Sequence, residues 1–282
     1  MIIDFHTHTF PEKISAKTVQ KLAGVSHTMP FTDGSVRELA SSMSEAKVDY
    51  SVNLPVMTSV DQVEKVNGSL TEQREELLAQ GIVTFGGMHP DYEKYKEELK
   101  HLKQSGIPGI KIHPAYQNID LDDIRMMRII DYASELGLII LTHAGIDIGL
   151  YHHNYCSVQH ILKVVDQIHP PKLVLAHMGG WGCWEEVEQD LTGAPVFLDT
   201  AFSIGPITPN PNQTERPYLE QNLSDKDFVR ICRKHGMDRI LFATDSPWQE
   251  QKDYIERVRH TDLTPAEQEL VFGENARKLL AL

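Results

Sequence analysis

The stretch Asp4-Phe5-His6-Thr7-His8 follows three apolar residues at the amino terminus. The short apolar run over residues 1–5 predicts a buried strand. His6 and His8 are two positions apart, so on a strand both imidazoles leave the same face. Two imidazoles on one face can share a divalent metal, for which histidine is the commonest ligand. A His-x-His pair also arises by chance, so its meaning depends on the rest of the chain.

Strand-sized apolar runs recur along the chain, separated by amphipathic stretches typical of helices. The eight predicted strands are residues 1–5, 50–56, 82–87, 109–112, 138–141, 172–176, 196–199 and 239–243. Such alternation indicates a parallel sheet with right-handed crossovers. A doubly wound open sheet is the alternative, but no Gly-rich phosphate turn follows the first strand. We therefore predict an α/β fold, a (β/α)8 TIM barrel formed by one domain over residues 1–282.

Local signals predict where the helices begin and end. Ser35 with Glu38, and Thr264 with Pro265 and Glu267, have the spacing of capping boxes. Glycine is predicted at the left-handed position after four helices, at Gly81, Gly106, Gly137 and Gly236.

Two connections are long. Residues 9–34 follow the first strand, with a short helix predicted over residues 13–22, and residues 201–223 follow the seventh. Loops after barrel strands build the active-site face, so both are candidate walls or lids. A surface excursion, or a contact between subunits of a homo-oligomer, is the alternative for each.

Composition limits the function. The chain has 27 basic and 40 acidic residues and a net charge of −13, which argues against nucleic acid or an anionic membrane as the partner. It does not exclude a small anionic substrate, because a pocket can be locally cationic. Three scattered cysteines do not suggest a disulfide framework. With neither a secretory signal nor an apolar run near the ~20 residues of a membrane span, we expect a cytoplasmic protein.

Polar residues follow the predicted strands where the apolar runs stop. They are His89, Lys111, His113, His143, His177 and Asp245. In a barrel these strand ends converge on one mouth, so histidines and an aspartate there can join His6 and His8 in a metal site. Each residue alone has a structural alternative. Asp245, for example, could cap the following helix.

Five motifs together resemble the amidohydrolase superfamily, and more narrowly its amidohydrolase-related metal-dependent hydrolases, a branch that includes decarboxylases and lactonases. They are Asp4-Phe-His-Thr-His8, Gly109-Ile-Lys-Ile-His-Pro114, Thr142-His-Ala-Gly145, Leu175-Ala-His-Met-Gly-Gly180 and Phe242-Ala-Thr-Asp-Ser-Pro-Trp248. Gly273-Glu-Asn-Ala-Arg277 is similar to the closing signature of that branch. The resemblance runs over nearly the whole chain.

The resemblance implies a ligand set and a catalytic group. His6, His8, His143 and Asp245 would hold one divalent metal, most simply zinc, with manganese as the alternative. Asp245 would also accept the proton of the attacking water. His177 would act beside that water as the acid/base group or electrophile.

Lys111 separates one-metal from two-metal chemistry. In two-metal relatives a lysine at this position is carboxylated and bridges the ions, whereas in one-metal relatives it is a substrate-binding cation. We favour one metal, with Lys111 and His113 binding substrate. Trp248 is a candidate apolar wall of the pocket, with a core role as the alternative. Arg216, in the second long loop, could meet a substrate carboxylate or lie on the surface.

The predicted function is a metal-dependent hydrolase that directs water onto a small ester, lactone or amide. The same site could instead run decarboxylation or hydration of a small carboxylic acid. A barrel that binds a metal or ligand without turnover is the remaining alternative, because fold does not dictate function.

Overall fold

The computed structural model describes residues 1–212 and 222–282. Its strands in chain order are β1 Ile3–Thr7, β2 Tyr50–Asn53, β3 Ile82–Thr84, β4 Gly86–Gly87, β5 Gly109–Ile112, β6 Ile139–Thr142, β7 Leu173–Leu175, β8 Phe197–Asp199 and β9 Ile240–Leu241. Each of the eight predicted runs contains a strand. The third is interrupted at Phe85 and so appears as β3 and β4.

All strand pairs are parallel, in the orders β1-β2-β3 and β4 through β9. Backbone hydrogen bonds join these two sets. Phe85, between β3 and β4, donates its backbone N–H to Asn53 O of β2 at 3.0 Å, and Phe5 N donates to Phe242 O at 2.8 Å where β9 meets β1. The predicted α/β barrel is therefore confirmed.

Helices fill the connections between strands. They are α1 Ser15–Ser26, α2 Val36–Ala46, α3 Gln62–Glu72, α4 Arg74–Ala79, α5 Tyr95–Gln104, α6 Pro114–Gln117, α7 Ile124–Glu135, α8 Val158–Ile168, α9 Trp184–Glu186, α10 Asp225–His235, α11 Gln251–Arg259, α12 Pro265–Glu269 and α13 Asn275–Leu280. Among the described residues, no helix is both long and apolar enough to cross a membrane.

The helix signals are mostly confirmed. Thr264 and Glu267 form the full reciprocal capping box, with Pro265 at the first turn of α12. At Ser35 the box is half formed, because Ser35 N donates to Asp33 Oδ1 at 2.8 Å and not to Glu38. The four C-cap glycines all have positive φ. The helix predicted over residues 13–22 is α1, which begins later because Ile14 and Ser15 first turn back onto Pro11 O.

The barrel interior is an apolar cluster that includes Phe5 of β1, Val52 of β2, Leu141 of β6 and, between β3 and β4, Phe85. Phe5 and Phe85 pack edge to face with ring centres 6.0 Å apart. The register of β1 against β2 shifts between Asp4 and Thr7. Such an irregularity re-aims side chains, and here Phe5 fills the interior while the next residue, His6, still reaches the mouth above it.

Backbone hydrogen bonds join the two long connections. Met29 N donates to Thr208 O and Asn210 N to His27 O, both at 2.9 Å. The role of the two connections as a wall or lid of the active site stays a prediction. Arg216 falls in residues 213–221, outside the described residues.

Candidate metal centre

The polar residues predicted at strand ends converge at the mouth of the barrel. His6 Nε2 and His8 Nε2 lie 3.2 Å apart. Asp245 Oδ1 lies 3.1 Å from His8 Nε2 and 3.5 Å from His6 Nε2. Four ligands at about 2.0–2.1 Å from a tetrahedral zinc are separated by roughly 3.3 Å. The spacing of these three atoms therefore fits one metal ion.

Hydrogen bonds to the far side of each ring determine which nitrogen faces the cluster. His6 Nδ1 donates to Asp199 Oδ2 at 2.9 Å, and His8 Nδ1 donates to Leu54 O at 2.7 Å. With the proton of each ring on Nδ1, Nε2 directs its lone pair toward Asp245. Two imidazole lone pairs and a carboxylate oxygen converge on one point, an arrangement that a divalent cation stabilises.

His143 lies beside this cluster and is linked to it through His177. His177 Nδ1 donates to Ala201 O at 2.9 Å, so its Nε2 accepts from His143 Nδ1 at 3.1 Å. The remaining His143 Nε2 is buried and has no hydrogen-bond partner among the described residues. A buried imidazole nitrogen with a free lone pair and no hydrogen-bond partner is the kind of atom that binds a metal ion. Its position, however, groups it with His113 and Asp147 and not with the other three predicted ligands, so its role as fourth ligand stays a prediction.

Lys111 is 1% exposed and points into the cluster, with Nζ 3.2 Å from His6 Nε2. Burial lowers its pKa, while Asp199 and Asp245 oppose that shift by favouring the ammonium form. Burial likewise lowers the pKa of His177, to about 4, so this imidazole is neutral at pH 7. Lys111 thus lies among imidazoles whose pKa is lowered by burial, those of His6, His143 and His177.

Asp199 was not identified as a site residue from the sequence, although it ends β8 at the same edge as the predicted ligands. Its Oδ2 accepts from His6, and its Oδ1 accepts from the backbone N of His177 at 2.9 Å and of Ala201 at 3.1 Å. Burial raises its pKa. This one carboxylate orients both a predicted ligand and the predicted acid/base group. The feature that could have identified Asp199 in the sequence is its position as the polar last residue of the seventh predicted strand.

Replacing Asp199 by asparagine should weaken metal binding about 10–100-fold, the usual cost of losing a carboxylate behind a ligating histidine. An amide nitrogen facing His6 Nδ1 would favour the tautomer with a proton on Nε2, which cannot bind a metal. Competition against a chelator of known affinity measures the change. The exposed Asp190→Asn variant is the charge-matched control, and equal affinity in both variants would contradict the role of Asp199.

His113 stacks on His143, with ring centres 4.4 Å apart, and its Nε2 lies 3.6 Å from Asp147 Oδ2. Asp147 was missed by the sequence analysis because it lies four residues beyond His143, inside a loop.

Two other residues predicted near the mouth are His89 and Trp248. His89 is buried, and its Nδ1 accepts from Asp91 N. Trp248 is partly buried against the outer core, so its role as a pocket wall stays a prediction.

A family model described as "Amidohydrolase" matches residues 3–282. The chain belongs to the amidohydrolase family. This confirms the resemblance drawn from the five motifs. A comparison with curated proteins found no match.

Solved structures share the fold of this amidohydrolase. An uncharacterised TIM-barrel protein from Bordetella bronchiseptica superposes with a TM-score of 0.75 at 17% identity, over 99% of this chain and 98% of that one. The 5-carboxyvanillate decarboxylase from Sphingomonas paucimobilis superposes with a TM-score of 0.70 at 13% identity, over 100% of this chain and 99% of that one. A dihydroxybenzoic acid decarboxylase from Polaromonas, with bound manganese and the inhibitor 2-nitroresorcinol, superposes with a TM-score of 0.70 at 15% identity, over 100% of this chain and 97% of that one.

Proposed function

We propose that this amidohydrolase is a metal-dependent hydrolase of a small ester, lactone or amide. The observation that carries the proposal is the convergence of His6 Nε2, His8 Nε2 and Asp245 Oδ1 within 3.1–3.5 Å of one another. Two imidazoles and a carboxylate favour zinc, with manganese as the alternative. His143 is the proposed fourth ligand, through its unpartnered Nε2.

A divalent metal held by these residues would lower the pKa of bound water toward ~7 and polarise a substrate carbonyl. The protein residues supply the proton transfers. Asp245 faces the histidines with Oδ1, which leaves Oδ2 to accept the proton of the attacking water. His177 is neutral and held by Ala201 O, so its Nε2 can take up and return a proton beside the leaving group.

The test is a panel of small esters, lactones and amides, assayed with chelator-treated enzyme and after reloading with zinc or manganese. We expect hydrolysis of at least one class, lost on chelation and restored by metal. Turnover that persists in the chelator-treated protein would refute metal dependence.

Decarboxylation of a small carboxylic acid is the second candidate. Two of the solved structures described above are decarboxylases, and Lys111 places a cation in the mouth. A parallel panel of hydroxybenzoates, assayed by measuring the CO2 released, distinguishes the two reactions. Carbon dioxide without hydrolysis of any ester, lactone or amide would favour this candidate.

Replacing Lys111 by methionine should raise KM for an anionic substrate about tenfold and leave metal content near one ion per chain. Methionine keeps much of the buried volume but removes the ammonium that we expect to face the substrate. Steady-state kinetics and elemental analysis measure the two effects. A carbamate on Lys111, or the loss of a metal ion with its side chain, would instead identify the two-metal arrangement.

A further inference from the structure

Asp147 is a buried carboxylate with an unused oxygen next to the candidate metal centre. The residue is 7% exposed, in the loop that follows β6. Its Oδ1 accepts from Gly149 N at 2.8 Å. Across the described part of the chain, no donor lies within hydrogen-bond distance of Oδ2 and no lysine or arginine forms an ion pair with the carboxylate, although the backbone N–H of Leu150 and the more distant charge of Lys111 also favour its ionised form. A buried carboxylate oxygen without a hydrogen-bond donor costs free energy, so the retention of Asp147 beside the candidate metal centre requires a reason.

His113 faces the unused oxygen with a donor. The backbone N of Tyr116 donates to His113 Nδ1 at 3.3 Å, so the neutral ring carries its proton on Nε2. That Nε2 lies 3.6 Å from Asp147 Oδ2, too far for a direct hydrogen bond. The rings of Tyr116 and His143 pack against the two sides of His113, with centres 4.5 Å and 4.4 Å away. Both polar atoms are therefore held in place without satisfying each other.

This pair adjoins the reacting centre. One nitrogen or oxygen from each of His113, His143 and Asp147 lies within 4.8 Å of the other two. His143 in turn contacts His177, whose ring centre lies 5.4 Å from that of His6. A substituent that extends from a substrate at the centre past His143 would meet Asp147 Oδ2 and His113 Nε2.

We propose that Asp147 and His113 form a subsite for a hydroxyl group of the substrate. A hydroxyl oxygen about 2.8 Å from both atoms would donate to Asp147 Oδ2 and accept from His113 Nε2. An ammonium group satisfies the carboxylate but cannot accept from His113, and a substrate carboxylate would be repelled by Asp147. The proposal names the substrate class of the proposed hydrolase and to that extent rests on it: a hydroxylated ester, lactone or amide.

Equilibrium binding of matched lactams tests the subsite without requiring turnover. The probes are γ-butyrolactam, α-hydroxy-γ-butyrolactam and α-amino-γ-butyrolactam, titrated by ligand-observed NMR against the metal-loaded protein. We expect the hydroxylactam to bind at least about tenfold more tightly than the plain lactam, the factor typical of a hydrogen bond to a charged group. Asp147→Asn should reduce this preference to within about twofold, while the exposed Asp166→Asn control retains it.

Other outcomes overturn the subsite. They are equal binding of the plain and hydroxylated lactams, no binding of either, tighter binding of the aminolactam, or a hydroxyl preference that survives in Asp147→Asn. Loss of a metal equivalent in Asp147→Asn would show a second cation site at His113, His143 and Asp147 instead. If the hydroxyl preference holds but no ester, lactone or amide is hydrolysed, the proposed function fails while the subsite stands.

Discussion

Replacing His6 and His8 together by alanine should reduce the metal content from about one ion per chain to nearly none. The two rings supply two of the three atoms that converge at the mouth, and hydrogen bonds to Asp199 and Leu54 already direct both lone pairs there. Asp245 and the proposed fourth ligand His143 are too few donors to hold a transition metal tightly against solvent. Elemental analysis of protein purified without chelators measures the loss.

The matched control removes two histidines from the rim of the same barrel. His152 and His153 are both exposed, and His153 pairs with Asp120. Their double alanine variant should keep its metal. Stoichiometric metal in the His6/His8 variant would show that the ion binds elsewhere, and the group of His113, His143 and Asp147 would be the first place to look.

The barrel could be predicted from the sequence because its signals are local. Each strand is a short apolar run, and most helix ends have local capping residues, such as Thr264 with Glu267. The capping box at Ser35 shows the limit of this approach. Asp33, two residues upstream, takes the backbone N–H that the pattern assigned to Glu38, because a nearer acceptor competes for the same donor.

The candidate centre could be predicted only in part, because its supporting contacts join distant parts of the chain. His6 and Asp199 are 193 residues apart, and no local pattern links them. Asp4 belongs to the leading motif, yet its carboxylate accepts from Thr244 and Gln251 and so ties β1 to the segments around β9. The strand-end position of a ligand is visible in the sequence. Its hydrogen-bond partner is not.

The substrate side was harder to predict for an electrostatic reason. Lys111 and His113 together suggested a site for an anion, but the structure places the Asp147 carboxylate 3.6 Å from His113 Nε2. The half of the mouth around His113 therefore favours a hydrogen-bond donor, and Lys111, which lies 3.2 Å from His6 Nε2, is the cation that we expect to bind an acidic group.

Replacing His177 by asparagine should lower kcat about 10²–10⁴-fold, the usual contribution of a general acid/base, while the metal stays bound. The asparagine amide can still donate to Ala201 O in place of Nδ1, but it cannot take up a proton at the position of Nε2. Steady-state kinetics and elemental analysis on the same preparation separate catalysis from metal binding.

The control for this change is His89→Asn, which removes another buried strand-end histidine whose Nδ1 accepts only from Asp91 N among the described residues. It should leave kcat within about twofold, since His89 makes no contact that supports proton transfer. If the His177 variant instead loses its metal, the imidazole is a ligand and the two-metal arrangement becomes the better description. If the His177 variant keeps both its metal and its full activity, the proton transfers belong to Asp245 alone. The unused Oδ2 of Asp245 is the other proton acceptor that we place beside the attacking water.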